Sequence, residues 1–500
     1  MSLRRTLAFV CVLTLSIAAN AAAQSGTIAG RVTDVDGGRP VVGATVRALA
    51  ATGTATAGTM TDDDGQYRVA VPAGTYTVSV RRIGYGETEQ RGVVVTDGGT
   101  AQADVALSAV AIVLNPTVVT AGRAEEKAQD APAHTEVVTP MVIEERLTLT
   151  PVGQIRSVPG VDYASTGVQG GNVVVRGFNN VFSGAMLTIS DYRYATVPSL
   201  RVNTPYLIAT PNEDVGQIEV VLGPGAALYG PNAANGVMHI LSKSPFESRG
   251  TTVSIGAGNR SIVRGALRHA GTAGDRFGYK ISGQILSGED WHYTDPAETL
   301  PRDFDIERWS GELRFDVRPT VSSELVFTGG RAFAGSALEM TGIGTAQAKD
   351  WSYDFGQTRF RWNRLFAQAF INTSNTSDTY LLRTGRNVVD KSRVIVGQVQ
   401  HGLDLGAMQT FIYGVDYSKT DPRTLGTING RNEDIDEISE LGAYLQSETR
   451  LSSMFDFVAA LRVDEHSELE DPVFSPRAAL VWKADTGHTV RLTYNRAFNT

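Results

Sequence analysis

From residue 246 onward, apolar and polar side chains alternate with a period of two, in segments of about ten residues separated by polar turns. Between 309 and 319, Trp309, Leu313, Phe315 and Val317 alternate with Ser310, Glu312, Arg314, Asp316 and Arg318. Between 409 and 418, Phe411, Tyr413, Val415 and Tyr417 oppose Thr410, Gly414, Asp416 and Ser418, and 454–464 and 488–498 repeat the rule. A period of two puts one class of side chain on each face of a strand. It does not say which face meets water, because a soluble sandwich turns its apolar face inward and a membrane barrel turns it outward. Aromatic residues near the segment ends, where an interfacial girdle would lie, favour a transmembrane antiparallel β-barrel. At about ten residues per strand, 246–500 holds around a dozen strands. An open edge in lipid costs several kcal/mol per unpaired backbone group, so such strands must close on themselves.

The earlier residues follow other periods. From Gly26 to Leu107, short β-prone runs (TIAGRVTD, ATVRAL, QYRVAV, TYTVSVRR, ADVALS) are separated by turn signals, which predicts a small β-sandwich over 25–108. Tyr76, Val78 and Val80 form its buried side against Thr75, Thr77 and Ser79. Asp62-Asp63-Asp64-Gly65 invites a calcium loop, but the alternating ligands would need an acid at Met60, so a hairpin turn is expected. Residues 109–130 form a connector, apolar up to Gly122 and then charged. It reads either as a last sandwich strand with a linker or, because of its place before the next domain, as a strand that can add to a partner's sheet edge. From 131 to 245 the pattern is mixed, an α+β segment. Apolar spacing at Val142, Ile143, Leu147 and Ile155 predicts one or two short helices stopped by Pro151 and Pro159. The strands NVVVRGF and AMLTIS follow, then a β-branched strand running into Gly223-Pro224-Gly225, a short helical turn through Tyr229, and a strand over 237–242. Gly223-Pro224-Gly225 is no phosphate cradle, since Pro224 lacks an amide donor and no Lys-Ser/Thr pair follows.

Composition adds compartment and excludes some chemistry. Residues 1–23 have a basic start (Arg4, Arg5), an apolar run from Leu7 to Ala18 and Ala21-Ala22-Ala23, the grammar of a secretory signal with mature chain from Gln24. The single cysteine, Cys11, lies within it, so the mature chain has no disulfide or cysteine-bound metal. Without the signal, 43 basic residues face 53 acidic ones, which points away from nucleic acid. No HExxH, GxSxG or Walker-type loop occurs, and the seven histidines are scattered from His134 to His488, so neither an enzyme nor a metal or cofactor protein is indicated.

Two resemblances sharpen this. Through GTIAGRVTD, VVGATVRAL, TDDDGQYRV, VPAGTYTVSV and RRIGYGE, 25–108 resembles the carboxypeptidase-regulatory-like domain, a non-catalytic module. Residues 131–245 resemble the plug domain of TonB-dependent receptors, through SVPGV at 157–161, VVVRGF at 173–178 and QIEVVLGPGAALYGPNAANGVMHILSK at 217–243. TYNRAFNT resembles a mid-barrel motif of the same family, and since that plugged class closes with about 22 strands, the resemblance implies that 246–500 is the N-terminal part of a barrel in a truncated sequence. The resemblance implies that Arg176, Gly177, Glu219, Gly223, Pro224, Gly225, Tyr229, Gly230, Asn235 and Gly236 carry plug architecture. This sequence departs from the family at Leu222 and Gln217, where arginines are usual, and at Asp191-Tyr192, where Asp-Gly is usual. The charge partners that lock plug to barrel are thereby in question.

The resemblance also implies a function. A receptor in the cell outer membrane, surrounded by lipid, would import a scarce small molecule or glycan. Pro116, Thr117, Val118, Val119 and Thr120 would form the TonB box, pairing with periplasmic TonB by β-augmentation. Tyr192, Tyr194, Arg201 and Asn203, in apical plug loops near 179–183 and 191–203, are the substrate candidates, against the bland alternative of ordinary loop composition. The substrate could be a siderophore or similar chelate, or an oligosaccharide with a SusD-like surface lipoprotein as partner. The competing class is a non-transporting adhesin or structural barrel.

Overall fold

The computed structural model describes residues 25–35, 38–50, 55–82, 85, 88–108, 117–120, 126–128, 131–177, 179, 186–428, 430–484 and 488–498. It divides into two compact units, Met1–Leu114 and Asn115–Thr500.

The first unit is a sandwich of two four-stranded sheets. One is built on Ser25–Asp34, paired with Gln66–Pro72, Thr100–Gln102 and Val105–Leu107; the other runs Ala55–Met60, Thr45–Ala50, Gly74–Arg81, Thr88–Val95. Alternation fills the space between them: Ile28, Val32, Tyr67, Val69, Val71, Tyr76, Val78 and Val80 are buried together. Ser79, expected on the wet face, is also buried. The acidic run makes the expected turn, with Asp62 Oδ1 accepting from Asp64 N at 3.1 Å and Gln66 N at 2.8 Å, and Gly65 at φ +73°.

The second unit is a plug domain inside an antiparallel sheet of fourteen strands. Thirteen run in chain order: β1 (Gly250–Ala257), β2 (Val263–Ala273), β3 (Phe277–Glu289), β4 (Asp305–Thr320), β5 (Ser323–Thr341), β6 (Gly344–Trp362), β7 (Leu365–Asn375), β8 (Arg393–Leu405), β9 (Gln409–Asp421), β10 (Ile438–Arg450), β11 (Phe455–His466), β12 (Val473–Lys483) and β13 (Thr489–Asn495). Tyr380–Leu381 pairs with β6 outside this order. One end has short turns, such as 274–276, 321–322, 363–364 and 406–408, and the other has long loops at 290–304, 376–392 and 422–437. Outer-membrane barrels keep short turns on the periplasmic side.

The ambiguity left by the alternation is resolved in favour of lipid. On β4, Trp309, Leu313 and Phe315 are 42%, 50% and 43% exposed, while Glu312, Arg314 and Asp316 are 4%, 6% and 0% exposed. The apolar face is the outer one and the charged face lines the lumen, the reverse of a soluble sandwich.

The plug sheet runs Thr135–Val138, Val215–Leu222, Gly236–Ser242, Met186–Ser190, Arg193–Tyr194, with a separate hairpin of Val161–Ser165 and Gly171–Val175. Ile143, Val152, Ile155, Ile218, Val220, Met238 and Ile240 form its core. The helical segment differs from expectation. The α-helix Pro140–Glu145 ends before Leu147, which is fully exposed, and Pro151 starts a 3-10 helix to Ser157 instead of stopping one. Proline suits a first helical position, where its missing N–H needs no partner.

Candidate functional site

The connector residues that the structure describes lie against the plug. Pro116 is outside the described residues. Thr117–Val118 pairs antiparallel with Glu126–Lys127, and Val118 is fully buried among Ile189, Val221, Leu228, Tyr229 and Val237. The backbone continues over one carboxylate: Val119 N donates to both Glu219 oxygens at 3.1 and 3.0 Å, and Thr120 N donates to Oε2 at 2.8 Å. Gln217 Nε2 donates to Thr117 O at 3.4 Å, and the Tyr229 hydroxyl to Thr120 O at 3.0 Å. Gln217, one of the departures from the family pattern, thus contacts the connector. Burial raises the Glu219 carboxyl above its usual range, against the amide donors that favour its charge.

Thr120 also reaches His239, with Oγ1 3.0 Å from Nδ1. His239 is buried, and its Nε2 accepts from Tyr192 N at 3.2 Å. An accepting Nε2 carries no proton, so the network assigns the hydrogen of the ring to Nδ1, donated to Thr120. The connector is therefore linked through one imidazole to the Asp191-Tyr192 turn. Both turn residues have positive φ, +46° and +71°. Glycine would adopt these angles freely, whereas here the Tyr192 ring compensates by packing edge-on to His239 at 4.7 Å and against Phe366 at 5.3 Å.

The charge partners in question after the sequence reading are supplied elsewhere. Asp214 is fully buried and receives Arg268 Nε and Lys280 Nζ, each at 2.8 Å, and Ser282 Oγ at 3.1 Å. Glu213 forms a bidentate pair with Arg264 at 2.7 and 2.6 Å. Asp191 accepts from Ser242 Oγ at 2.5 Å and lies 3.7 Å from Arg314. Burial opposes the Asp191 charge, but Arg359, Arg314 and Lys280 outweigh it and hold the carboxyl well below the usual range. Sequence reasoning missed Glu213, Asp214 and His239. Their signal was the polar, lumen-facing set on β2 to β4, whose cations needed acids on the plug.

Toward β6 and β7 the contacts change character. Gln357 Nε2 donates to Asp191 O at 2.9 Å, Gln368 Nε2 to Tyr192 O at 3.0 Å, and Asn372 Nδ2 to Tyr194 O at 2.8 Å. Here neutral amides hold plug carbonyls, and the described residues leave a cavity of about 520 Å³, bordered by Val119 and Tyr192 of the plug side and by β7 to β9.

The four loop candidates are not brought together. Arg201 lies at the long-loop end, paired with Glu440 at 3.0 Å, near Ser199 N, which donates to Ser392 Oγ. Asn203 Nδ2 donates to Met186 O at 3.1 Å on the same side. Tyr194 sits between the ends, bordering both the cavity and a narrow cleft under Arg201. Tyr192 is at the short-turn end, beside Asn363 and Arg364, and is not apical. Chain direction explains this: Met186–Ser190 descends from the loop side, so its following turn is low in the lumen.

The plug motif residues surround these contacts. A Cβ at Gly236 would lie 2.4 Å from Val221 O, so only glycine lets these strands approach. Gly223 and Gly230 have φ of +120° and +76°, Gly223 N donates to Asn235 O at 2.8 Å, and Gly225 and Pro224 lead into the helix Ala226–Tyr229. Arg176, at φ +49°, and Gly177 lie exposed on the neighbouring hairpin.

Family models agree with this layout: a carboxypeptidase regulatory-like domain matches 27–108, a TonB-dependent receptor plug domain 127–237, and a TonB-dependent receptor-like β-barrel 260–500. The vitamin B12 transporter BtuB of Vibrio vulnificus is 32% identical over 189 residues, covering 37% of this chain and 30% of its own. The ferric enterobactin receptor PirA of Pseudomonas aeruginosa is 26% identical over 316 residues, covering 56% of this chain and 41% of its own. The chain spans well under two thirds of the length of both relatives. Among solved structures, the alcaligin outer-membrane receptor FauA of Bordetella pertussis shares the fold with TM-score 0.56 at 14% identity, over 77% of this chain and 66% of that one.

Proposed function

Because the chain belongs to the TonB-dependent receptors of the outer membrane and carries a carboxypeptidase regulatory-like domain, we propose that it imports a scarce organic chelate, a corrinoid or ferric siderophore, driven through TonB. The observation that carries this reading is the seating of Thr117–Thr120 on Glu219 and His239. An extended segment held by a few hydrogen bonds, each worth about 0.5–1.5 kcal/mol net and up to about 3 to a charge, can be exchanged for a partner's strand edge. Pro116 to Thr120 would offer that edge to TonB. Arg201 and Asn203, at the mouth, would meet substrate first. The kinds of molecule handled by the relatives above support the chelate class. The N-terminal sandwich favours a second reading, oligosaccharide import with a SusD-like lipoprotein.

The test is uptake of cyanocobalamin, ferric enterobactin, ferric alcaligin and malto-oligosaccharides by cells carrying the full-length gene, with and without residues 115–121. Uptake of a chelate that disappears with the deletion, while the barrel still reaches the membrane, is the expected result. Uptake of oligosaccharide alone selects the second reading. A chain that inserts and transports none of them is an adhesin or structural barrel, and the proposal is wrong.

A further inference from the structure

A charged pair on the barrel faces the membrane between two aromatic belts. On the outer face of β3 to β5, Trp309 stacks on Phe333 at 5.7 Å toward the long loops. Toward the short turns, Phe315 stacks on Phe277 at 6.2 Å, with Phe327 across the ladder from it. Arg331 lies on the same face of β5, two residues before Phe333 and four after Phe327, and so within the apolar band. Directly across the ladder is Asp354 of β6. The two side chains are 51% and 36% exposed, and Arg331 Nε and Nη2 donate to the carboxylate oxygens at 2.5 and 3.1 Å. Charged side chains at this depth almost always face the interior, because lipid offers them no partner. This pair is also incomplete. A guanidinium has five N–H donors and a carboxylate about four acceptor sites, and Arg331 Nη1 meets no acceptor among the described residues. Beside the pair, Gly283, Gly311 and Gly329 leave an outward groove of about 860 Å³ that ends at Arg331 and Asp354.

We propose that a second copy of the protein docks on this face, across a two-fold axis that runs parallel to the membrane normal between Arg331 and Asp354. Neighbouring strands lie about 4.8 Å apart, so the two residues differ little in depth. Two copies in one membrane insert to the same level, and such an axis exchanges left and right at constant depth. Arg331 of each copy therefore comes opposite Asp354 of the other. Each Nη1 then donates to the opposing carboxylate, which closes a ring of four alternating charges. The glycines beside it remove side chains that would hold the two walls apart. A lipid headgroup does not meet the pair in this way, because headgroups stay at the level of the loop-side belt and the pair lies below it.

The test expresses the full-length gene as two differently tagged copies and measures their co-purification from outer membranes in mild detergent, at matched barrel levels. Asp354→Arg leaves two cations on the face and Arg331→Asp two anions, so each variant breaks the pair within its own chain and repels its own kind. Wild-type copies should co-purify, and each variant paired with itself should lose at least about tenfold of that signal, because like charges then face each other. Asp354→Arg expressed with Arg331→Asp should regain it, since the cations of one copy meet the anions of the other. That recovery separates a contact between copies from the ion pair within one chain. Should the charge variants fail to insert, single cysteines decide. Ser352→Cys, on the outer face beside the axis, should cross-link to itself in wild-type background, and Leu461→Cys, on the outer face of β11, should not. Wild-type copies that do not co-purify, inserted variants that associate like wild type, a mixed pair that stays apart, or Ser352→Cys that cross-links no better than Leu461→Cys each overturn the proposal.

Discussion

The two flanks of the plug meet the barrel by different physics. Against β2 to β4, buried carboxylates meet buried cations: Asp214 with Arg268 and Lys280, Glu213 with Arg264, Asp191 with Arg314. Against β6 to β9, Arg359 of β6 adds its charge near Asp191, but the plug carbonyls are held by glutamine and asparagine amides, and a cavity remains. Removing one member of a buried ion pair strands the other charge, whereas losing a neutral hydrogen bond costs far less. The paired flank is thus suited to stay fixed while the amide flank, whose cavity Val119 of the connector borders, gives way.

The sharpest way to break this contrast is Asp214→Ala. It should destabilise the plug by about 3–5 kcal/mol, because Arg268 and Lys280 stay buried without their carboxylate. Denaturant unfolding and protease susceptibility of the plug would show it, and a loss below about 1 kcal/mol would mean the flank is not an anchor. Next comes Glu219→Ala, expected to weaken connector seating by about 1–3 kcal/mol while global unfolding is unchanged. A spin label at Thr117 should become mobile, and an unchanged spectrum would sink the seating role of Glu219. Smaller again, Gln357→Met on the amide flank should cost about 1 kcal/mol; a loss matching Asp214→Ala would erase the distinction between flanks. The smallest effect concerns Tyr192, whose phenol is pushed up to about 12, chiefly by burial. A folded pKa above the usual value of about 10 means the stabilisation is whole below pH ~10 and is lost as pH rises through about 12. In an alkaline absorbance titration, Tyr192→Phe should remove one late-titrating tyrosine and leave the earlier ones.

The strands were legible because their period is local. The alternation at Trp309–Val317 and Tyr413–Tyr417 survives as the outer faces of β4 and β9, yet only the barrel context reveals that those faces are outside. Glu219 could be marked as a plug residue from its motif, but its contact with Val119 and Thr120 spans about a hundred positions of chain and has no periodic trace. Asp214 and Lys280 were visible as charges, not as partners, since plug-to-barrel register is set by packing of whole domains. Tyr192 shows the limit most clearly. Grouped with Tyr194 and Arg201 by sequence nearness, it lies at the opposite end of the lumen from Arg201, because Met186–Ser190 descends into the turn that holds it. Pro151 misled for a local reason: the same residue that ends one helix can begin the next.

The seating of the connector also fixes how it answers force. Its attachments fall in chain order, Thr117 to Gln217, Val119 to Glu219, then Thr120 to Glu219, His239 and Tyr229. Tension from the N-terminal side would load these one after another, as a zipper does, so the peak resistance is that of a single rung and not of their sum. The last rung is also the one joined to the Tyr192 turn, so early extension frees the strand edge and only late extension disturbs the lumen. A pulling experiment from residue 117 should register several small ruptures, the final one tied to His239, where a clamp would yield in one large step.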